Sequence, residues 1–95
     1  MNQINLSGRN AVITGGARGI GLAIAKRLLQ SGASVSLWDV DPEAAAEAKV
    51  DLNEYGTVET QNVELTDADA VASATEATIN ALGHIDILCN NAGIA

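Results

Sequence analysis

The stretch VITGGARGIG, residues 12–21, places four of the chain's nine glycines within seven positions. The short apolar run at residues 11–13 leads into these glycines, and such runs are typical of buried strands. After the glycines, Ile20, Ala23, Ile24 and Leu28 recur at helical spacing on one face. The stretch therefore predicts a strand, a glycine-rich turn and a helix that stops before Gly32.

The same alternation of strand and helix runs through the rest of the chain. Strands are predicted at residues 33–39, 57–65 and 85–90, because each segment is short and apolar or alternating. Asp41 before Pro42 predicts the start of a helix that runs to about Glu54, and Gly56 breaks it. Residues 66–69 resemble a capping box, with Thr66 as the cap of a helix that ends at Gly83. This order predicts one α/β domain, a parallel sheet with helices on its faces.

Composition excludes several classes of function. The net charge is −7, and the five basic residues form no run, which argues against nucleic acid as a partner. No apolar stretch approaches the roughly 20 residues of a membrane-spanning helix. The single cysteine, Cys89, excludes an internal disulfide framework and a multi-cysteine metal site, so a cytoplasmic protein is expected. A solvated acidic helix face is predicted from Asp41, Glu43, Glu47, Asp51 and Glu54.

Glycines at a strand-to-helix turn are typical of dinucleotide-binding loops. In such loops the first glycine permits a tight turn, and a later one lets the backbone approach a pyrophosphate. The last glycine lets the helix pack closely on the strand, and the helix N-terminus offers its N–H groups to phosphates. A tight turn alone would also account for these glycines, so the second strand is needed to decide between the two.

That strand ends in Asp39, which follows Gly15 by 24 positions. The interval is near the spacing at which an acidic side chain binds the adenosine ribose. A carboxylate there would repel a 2′-phosphate and favour NAD over NADP. Arg18 favours NADP instead, because a basic residue in the glycine loop can contact the 2′-phosphate. We predict NAD because Asp39 lies closer than Arg18 to the position of a 2′-phosphate. We interpret the neighbouring Trp38 as a packing residue rather than an adenine-stacking one.

Two motifs resemble the short-chain dehydrogenase/reductase family of the classical type. Residues 14–21, TGGARGIG, resemble its TGxxxGIG motif, and residues 85–95, IDILCNNAGIA, resemble its fourth-strand motif. The resemblance covers essentially all 95 residues and implies a Rossmann-like, doubly wound sheet with strand order 3-2-1-4. It also implies a homo-oligomeric, NAD(P)-dependent oxidoreductase that moves a hydride between nicotinamide and a secondary alcohol or ketone.

The resemblance implies a set of cofactor-binding residues and no metal site. The set is Gly15, Arg18, Gly19, Ile20, Gly21, Asp39, Glu64, Leu65, Asn91, Ala92 and Gly93. The first five would line the phosphates, Asp39 the adenosine ribose, and Glu64 and Leu65 the adenine. The last three would lie along the cofactor near the ribose, and Asn90 would brace the sheet. Glu64 departs from the family's pattern, in which Asp is usual at this position.

The family's catalytic Ser and Tyr-x-x-x-Lys lie beyond the fourth-strand motif, and this chain does not contain them. Tyr55, its only tyrosine, is followed four residues later by Glu59. We therefore expect residues 1–95 to be the N-terminal cofactor-binding half of a dehydrogenase of roughly 250 residues, inactive by itself. Two alternatives stay open: a non-catalytic dinucleotide-binding module, and a methyltransferase that binds S-adenosylmethionine on a similar βαβ start.

Overall fold

The computed structural model describes residues 4–92, and strands and helices alternate through that range. The strands are β1 (Asn10–Thr14), β2 (Ser34–Asp39), β3 (Val58–Asn62) and β4 (Ile87–Asn90). The helices are α1 (Gly19–Gln30), α2 (Pro42–Leu52) and α3 (Ala68–Leu82), and a short 3₁₀ turn at Asn53–Tyr55 follows α2. The strands form one parallel sheet in the order β3-β2-β1-β4. The predicted Rossmann-like α/β fold and its strand order are therefore confirmed.

The parallel register brings the ends of the strands to one edge of the sheet. Thr14 at the end of β1 lies opposite Trp38 of β2 and Asn90 of β4. Asp39, the last residue of β2, lies opposite Asn62, the last residue of β3. The glycine turn, the β2–α2 turn and the segments that follow β3 and β4 consequently meet at this edge, where parallel α/β sheets bind their ligands.

Alternate side chains of β1 and β2 build a separate apolar layer on each face of the sheet. On one face Ile13 and Leu37 pack with α1 and α2, whose contact residues are Ala25, Leu29, Ala45, Ala48 and Leu52. On the other face Val12 and Trp38 pack with Val63 and with Ala74 of α3. Small alanine side chains let the helices lie close to the sheet, which suits a chain without phenylalanine.

The layer beneath α3 also contains a buried polar network. The Trp38 Nε1–H group lies 3.1 Å from both Ser36 Oγ and Thr78 Oγ1, and these two hydroxyl oxygens are 3.2 Å apart. The Ser36 hydroxyl donates to the carboxylate of Glu59 on β3. Trp38 thus packs in this layer, and its indole N–H group is held by hydrogen bonds to Ser36 on β2 and Thr78 on α3.

Three element boundaries differ by two residues or more from those predicted. β3 ends at Asn62 rather than at residue 65, because the chain turns there and Asp67 N–H donates to Glu64 O. α2 ends as an α-helix at Leu52 and tightens into the 3₁₀ turn before Gly56. β4 begins at Ile87 rather than at residue 85, because the Asp86 side chain takes the Asn10 N–H at 2.8 Å.

The predicted cap of α3 was wrong by one residue. Asp67 caps this helix, since its Oδ1 accepts from Asp69 N at 3.0 Å and from Ala70 N at 3.1 Å. The Thr66 hydroxyl instead donates to Glu64 Oε1 at 3.2 Å. A short aspartate side chain that bonds the backbone two and three residues on is the usual N-cap arrangement.

The predicted buried face of α1 was right in part. Ile24 and Leu28 are partly buried and pack against the core between the helices and the sheet. Gly21, Ala25 and Leu29 are buried against the sheet, whereas Ile20 is 65% exposed and Ala23 is exposed as well. The small side chains at 21 and 25 allow the helix backbone to approach β1, and the bulkier Ile20 does not fit that contact. Local apolar periodicity alone does not carry this information.

Candidate functional site

The glycine turn between β1 and α1 needs glycine for two different reasons. Gly15 has φ +63° and Gly19 has φ +60°, a left-handed conformation that other residues adopt only with strain. Gly21 has an ordinary φ, but a Cβ there would lie 2.8 Å from Asn91 Nδ2 and 2.9 Å from the Gly15 carbonyl carbon. Gly15 and Gly19 therefore shape the turn, and Gly21 lets α1 start directly against it.

The N-terminus of α1 differs from those of the other two helices. Asp41 and Asp67 cap α2 and α3, whereas within residues 4–92 no side chain caps α1 and no acidic residue lies in its first turn. A Cβ added at Gly19 would meet no described atom within 4 Å. The first N–H groups of α1 thus combine a partial positive charge with open space, and this arrangement fits a phosphate or pyrophosphate.

Asp39 joins the glycine turn to the β2–α2 turn. Asp39 is only 8% exposed, and its Oδ2 accepts from the Ala17 N–H group at 3.3 Å. Its Oδ1 accepts from Asp41 N at 3.0 Å. Because an ionised carboxylate has about four acceptor positions, two remain for hydroxyl donors. The carboxylate is therefore fixed in place and still able to accept from a diol such as a ribose.

A cleft of about 340 Å³ opens at this edge of the sheet. Five of the predicted cofactor residues line it, namely Gly15, Asp39, Glu64, Leu65 and Ala92. The cleft is also lined by four residues that were not predicted from the sequence, namely Trp38, Val40, Val63 and Thr66. All four lie at or just after the end of β2 or β3, next to residues that were predicted for the site. Their position at the strand ends is the signal that could have identified them.

The segment after β3, which forms one wall of the cleft, is held by hydrogen bonds between its own residues. Glu64 Oε1 accepts from the Thr66 hydroxyl at 3.2 Å and lies 3.4 Å from Thr66 N. Leu65 is 37% exposed and offers an apolar surface to the cleft. The Glu64 carboxylate is thus turned toward Thr66, and the adenine contact expected of it competes with this bond.

The segment after β4 is fixed to the glycine turn through Thr14, which is not among the predicted site residues. The Thr14 hydroxyl oxygen accepts from Asn91 N at 2.9 Å and from Ala92 N at 3.1 Å, and it lies 3.1 Å from Asn90 Oδ1. Asn91 Nδ2 donates to Gly15 O at 3.2 Å. Asn90 therefore contributes to the bracing that was expected of it. Gly93, also predicted for the site, lies outside the described residues.

Arg18 does not line the cleft. Its side chain is 67% exposed, and Nη2 lies 3.4 Å from Asp41 Oδ2. It faces a separate groove of about 390 Å³ between the start of α1 and α2. Four of the five residues assigned to an acidic helix face line this same groove, namely Asp41, Glu43, Glu47 and Asp51.

Other kinds of site are not found in the described part of the chain. Residues 4–92 contain no group of three or more His, Cys, Asp or Glu side chains placed to hold a metal ion. None of their helices combines the length and the apolar character needed to cross a membrane.

Comparison with known proteins identifies the family to which this turn and cleft belong. The family model described as short chain dehydrogenase matches residues 9–95. The chain belongs to the short-chain dehydrogenase family. This membership confirms the resemblance carried by the two sequence motifs. The chain spans about a third of the length of the curated relatives that it matches.

Three similar proteins illustrate the relationship. The 3beta-hydroxysteroid dehydrogenase 2 of Eggerthella lenta is 42% identical over 90 residues, which cover 94% of this chain and 35% of that protein. The structure of L-sorbose reductase from Gluconobacter frateurii, complexed with NADPH and L-sorbose, has a TM-score of 0.91 at 35% identity. That match covers 97% of this chain and 36% of the reductase. An NAD+-bound xylitol dehydrogenase has a TM-score of 0.90 at 31% identity, covering 93% of this chain and 34% of that one.

Proposed function

We propose that this chain, residues 1–95, is the N-terminal dinucleotide-binding part of an NAD(P)-dependent short-chain dehydrogenase. The whole protein would interconvert a secondary alcohol and a ketone, and the bound nicotinamide would supply or accept the hydride. The names of the relatives support this reaction class, since they are dehydrogenases and a reductase. The chain's own residues would bind and orient the cofactor.

The observation that carries the proposal is the cleft between the glycine turn and the ends of β2 and β3, with the Asp39 carboxylate fixed in it. The phosphates would lie at the uncapped start of α1, held by the backbone around Gly15, Arg18, Gly19, Ile20 and Gly21. Asp39 would accept from the adenosine ribose hydroxyls. The adenine would lie against Glu64 and Leu65, and Asn91, Ala92 and Gly93 would run along the cofactor near the ribose.

NAD is the proposed cofactor rather than NADP. Asp39 is an acceptor whose two oxygens are already oriented by backbone N–H groups. A ribose diol can donate to such a carboxylate, whereas a 2′-phosphate would bring a second negative charge against it. Solved relatives hold either dinucleotide, NADPH in the sorbose reductase and NAD+ in the xylitol dehydrogenase. The preference therefore depends on this chain's own residues.

The setting of the protein is proposed from its charge and family. A net charge of −7 opposes binding to nucleic acid or to an anionic membrane surface. We propose a cytoplasmic enzyme whose partners are the dinucleotide and a small alcohol or carbonyl compound, and whose whole form is a homo-oligomer.

The test is titration of the intact protein with NADH and with NADPH, followed by the fluorescence of the reduced nicotinamide. Wild-type protein is expected to bind NADH more tightly. Asp39→Asn keeps the size of the side chain but removes the charge and one of the two acceptor oxygens. It should weaken NADH binding by about 10- to 100-fold, the value of hydrogen bonds to a charged group. The preference over NADPH should shrink at the same time.

Glu76→Gln is the matched control, because it removes one carboxylate from an exposed position on α3. Circular dichroism would show that each variant is folded. Failure of the wild-type protein to bind either dinucleotide would contradict the proposed function. Equal effects of the two substitutions would contradict the role of Asp39.

A further inference from the structure

We propose that Asp41 is a further determinant of dinucleotide choice, which acts by pairing with Arg18 and withholding its guanidinium from a 2′-phosphate. The inference rests on the proposed function, since it requires the adenosine half of a dinucleotide to bind beside Asp39. Asp41 is a positioning residue in this role, because it acts through Arg18 and not by touching the cofactor.

Asp41 is held in place by contacts on three sides. Its Oδ1 accepts from Glu43 N at 3.0 Å and from Ala44 N at 3.1 Å, which caps α2. Its backbone N–H donates to Asp39 Oδ1 at 3.0 Å. Its remaining oxygen, Oδ2, lies 3.4 Å from Arg18 Nη2. The carboxylate cannot turn away from Arg18 without uncapping α2, so it is a preorganised partner for the guanidinium.

Arg18 lies within reach of the place that a 2′-phosphate would occupy. The preceding residue, Ala17, donates its backbone N–H to Asp39 Oδ2 at 3.3 Å. A phosphate on the ribose oxygen nearest Asp39 would therefore lie close to the start of the Arg18 side chain. Arginine is well suited to bind phosphate through two parallel N–H bonds. The Asp41 carboxylate already takes up part of this capacity and offsets part of the positive charge of Arg18.

The two aspartates therefore disfavour a 2′-phosphate in different ways. Asp39 would repel it directly and would bind the ribose hydroxyls in NAD. Asp41 would remove the attraction that Arg18 could otherwise supply. Replacing Asp39 alone would leave Arg18 paired, so a change of preference toward NADP would be incomplete until Asp41 is also replaced.

An alternative is that the acidic residues lining the groove together disfavour a 2′-phosphate through their combined electrostatic field. Glu43, Glu47 and Asp51 line the same groove as Arg18. The ion pair that the structure gives to Arg18, however, is with Asp41. A specific pair predicts an effect at Asp41 that depends on Arg18, whereas a summed field predicts similar effects at Asp41 and Glu43.

Calorimetric titration of the intact protein with 5′-ADP and with 2′,5′-ADP separates these cases. Asn is as good an N-cap as Asp, so Asp41→Asn removes the charge and keeps the start of α2. We expect Asp41→Asn to tighten 2′,5′-ADP relative to 5′-ADP by about two- to fivefold, the size of an exposed ion pair. Glu43→Gln should leave that ratio unchanged. In an Arg18→Gln background the Asp41→Asn effect should disappear.

Each contrary outcome has a distinct meaning. An unchanged ratio in Asp41→Asn overturns the inference, and so does an equal gain in Glu43→Gln or in the Arg18→Gln background. Wild-type protein that binds neither probe overturns the proposed function, and the inference falls with it. Binding of 5′-ADP by the wild-type protein therefore distinguishes the two failures. Asp41→Ser, a second good N-cap without charge, provides the same test if Asp41→Asn does not fold.

Discussion

Replacing Gly21 by alanine would test how closely α1 must approach the glycine turn. The new Cβ would lie 2.8 Å from Asn91 Nδ2 and 2.9 Å from the Gly15 carbonyl carbon, and it would be closer still to the Gly15 oxygen. Two of these three atoms belong to the backbone of the turn, so no side-chain rotation removes the overlap. Either α1 or the turn has to move.

The expected net loss combines opposing contributions. Overpacking of a tight contact costs about 1–3 kcal/mol. Displacing Asn91 also breaks its 3.2 Å bond to Gly15 O, worth about 1 kcal/mol. Alanine in a helix is more favourable than glycine by up to about 1 kcal/mol. We therefore expect Gly21→Ala to lower the free energy of unfolding by about 1–3 kcal/mol.

Urea unfolding followed by the fluorescence of Trp38, the chain's single tryptophan, measures this loss. Gly19→Ala is one control, because its Cβ would meet no described atom and its cost should come only from the positive φ, about 1–2 kcal/mol. Ala23→Gly at an exposed position of α1 measures helix propensity alone. A Gly21→Ala protein as stable as the wild type, or more stable, would refute the close approach.

The remaining predictions concern a buried hydroxyl and a helix cap. Thr14→Val removes the acceptor of Asn91 N–H and Ala92 N–H and should cost about 1–3 kcal/mol. Hydrogen exchange of those two amides should accelerate, and unchanged exchange would show that Thr14 does not hold the segment. Asp67→Ala should destabilise the protein by about 0.5–2 kcal/mol in urea unfolding, and Thr66→Ala by clearly less. A larger loss of stability in Thr66→Ala than in Asp67→Ala would show that Thr66, and not Asp67, caps α3.

The fold was predictable where short-range chemistry decides it. Gly32 and Gly83 both adopt φ +100° just after a helix, which only a glycine does without strain. Asp41 and Pro42 cap and start α2 as their side chains require. The strand order, by contrast, follows from long-range pairing and entered through the family resemblance rather than through periodicity.

Prediction failed where packing overrides the local pattern. Ile20 and Ala23 extend an apolar stripe in the sequence, yet the face of α1 against the sheet carries Gly21 and Ala25, because Gly21 allows a close approach that Ile20 would prevent. Spacing from the glycines located Asp39. The pairing of Arg18 with a carboxylate beyond the end of β2 depends on the shape of two turns, and sequence spacing does not reveal it.

The bonds that Thr78 makes to Ser36 and Trp38 have a consequence for the far end of α3. Apolar surfaces can slide past one another, but hydrogen bonds fix both the rotation and the axial position of the helix that makes them. Asp67, at the start of α3, lies eleven residues earlier, about 16 Å along the axis, and adjoins Thr66 in the wall of the cleft. A hydroxyl group deep in the core thereby fixes the axial position of a helix whose first residues adjoin the wall of the cleft.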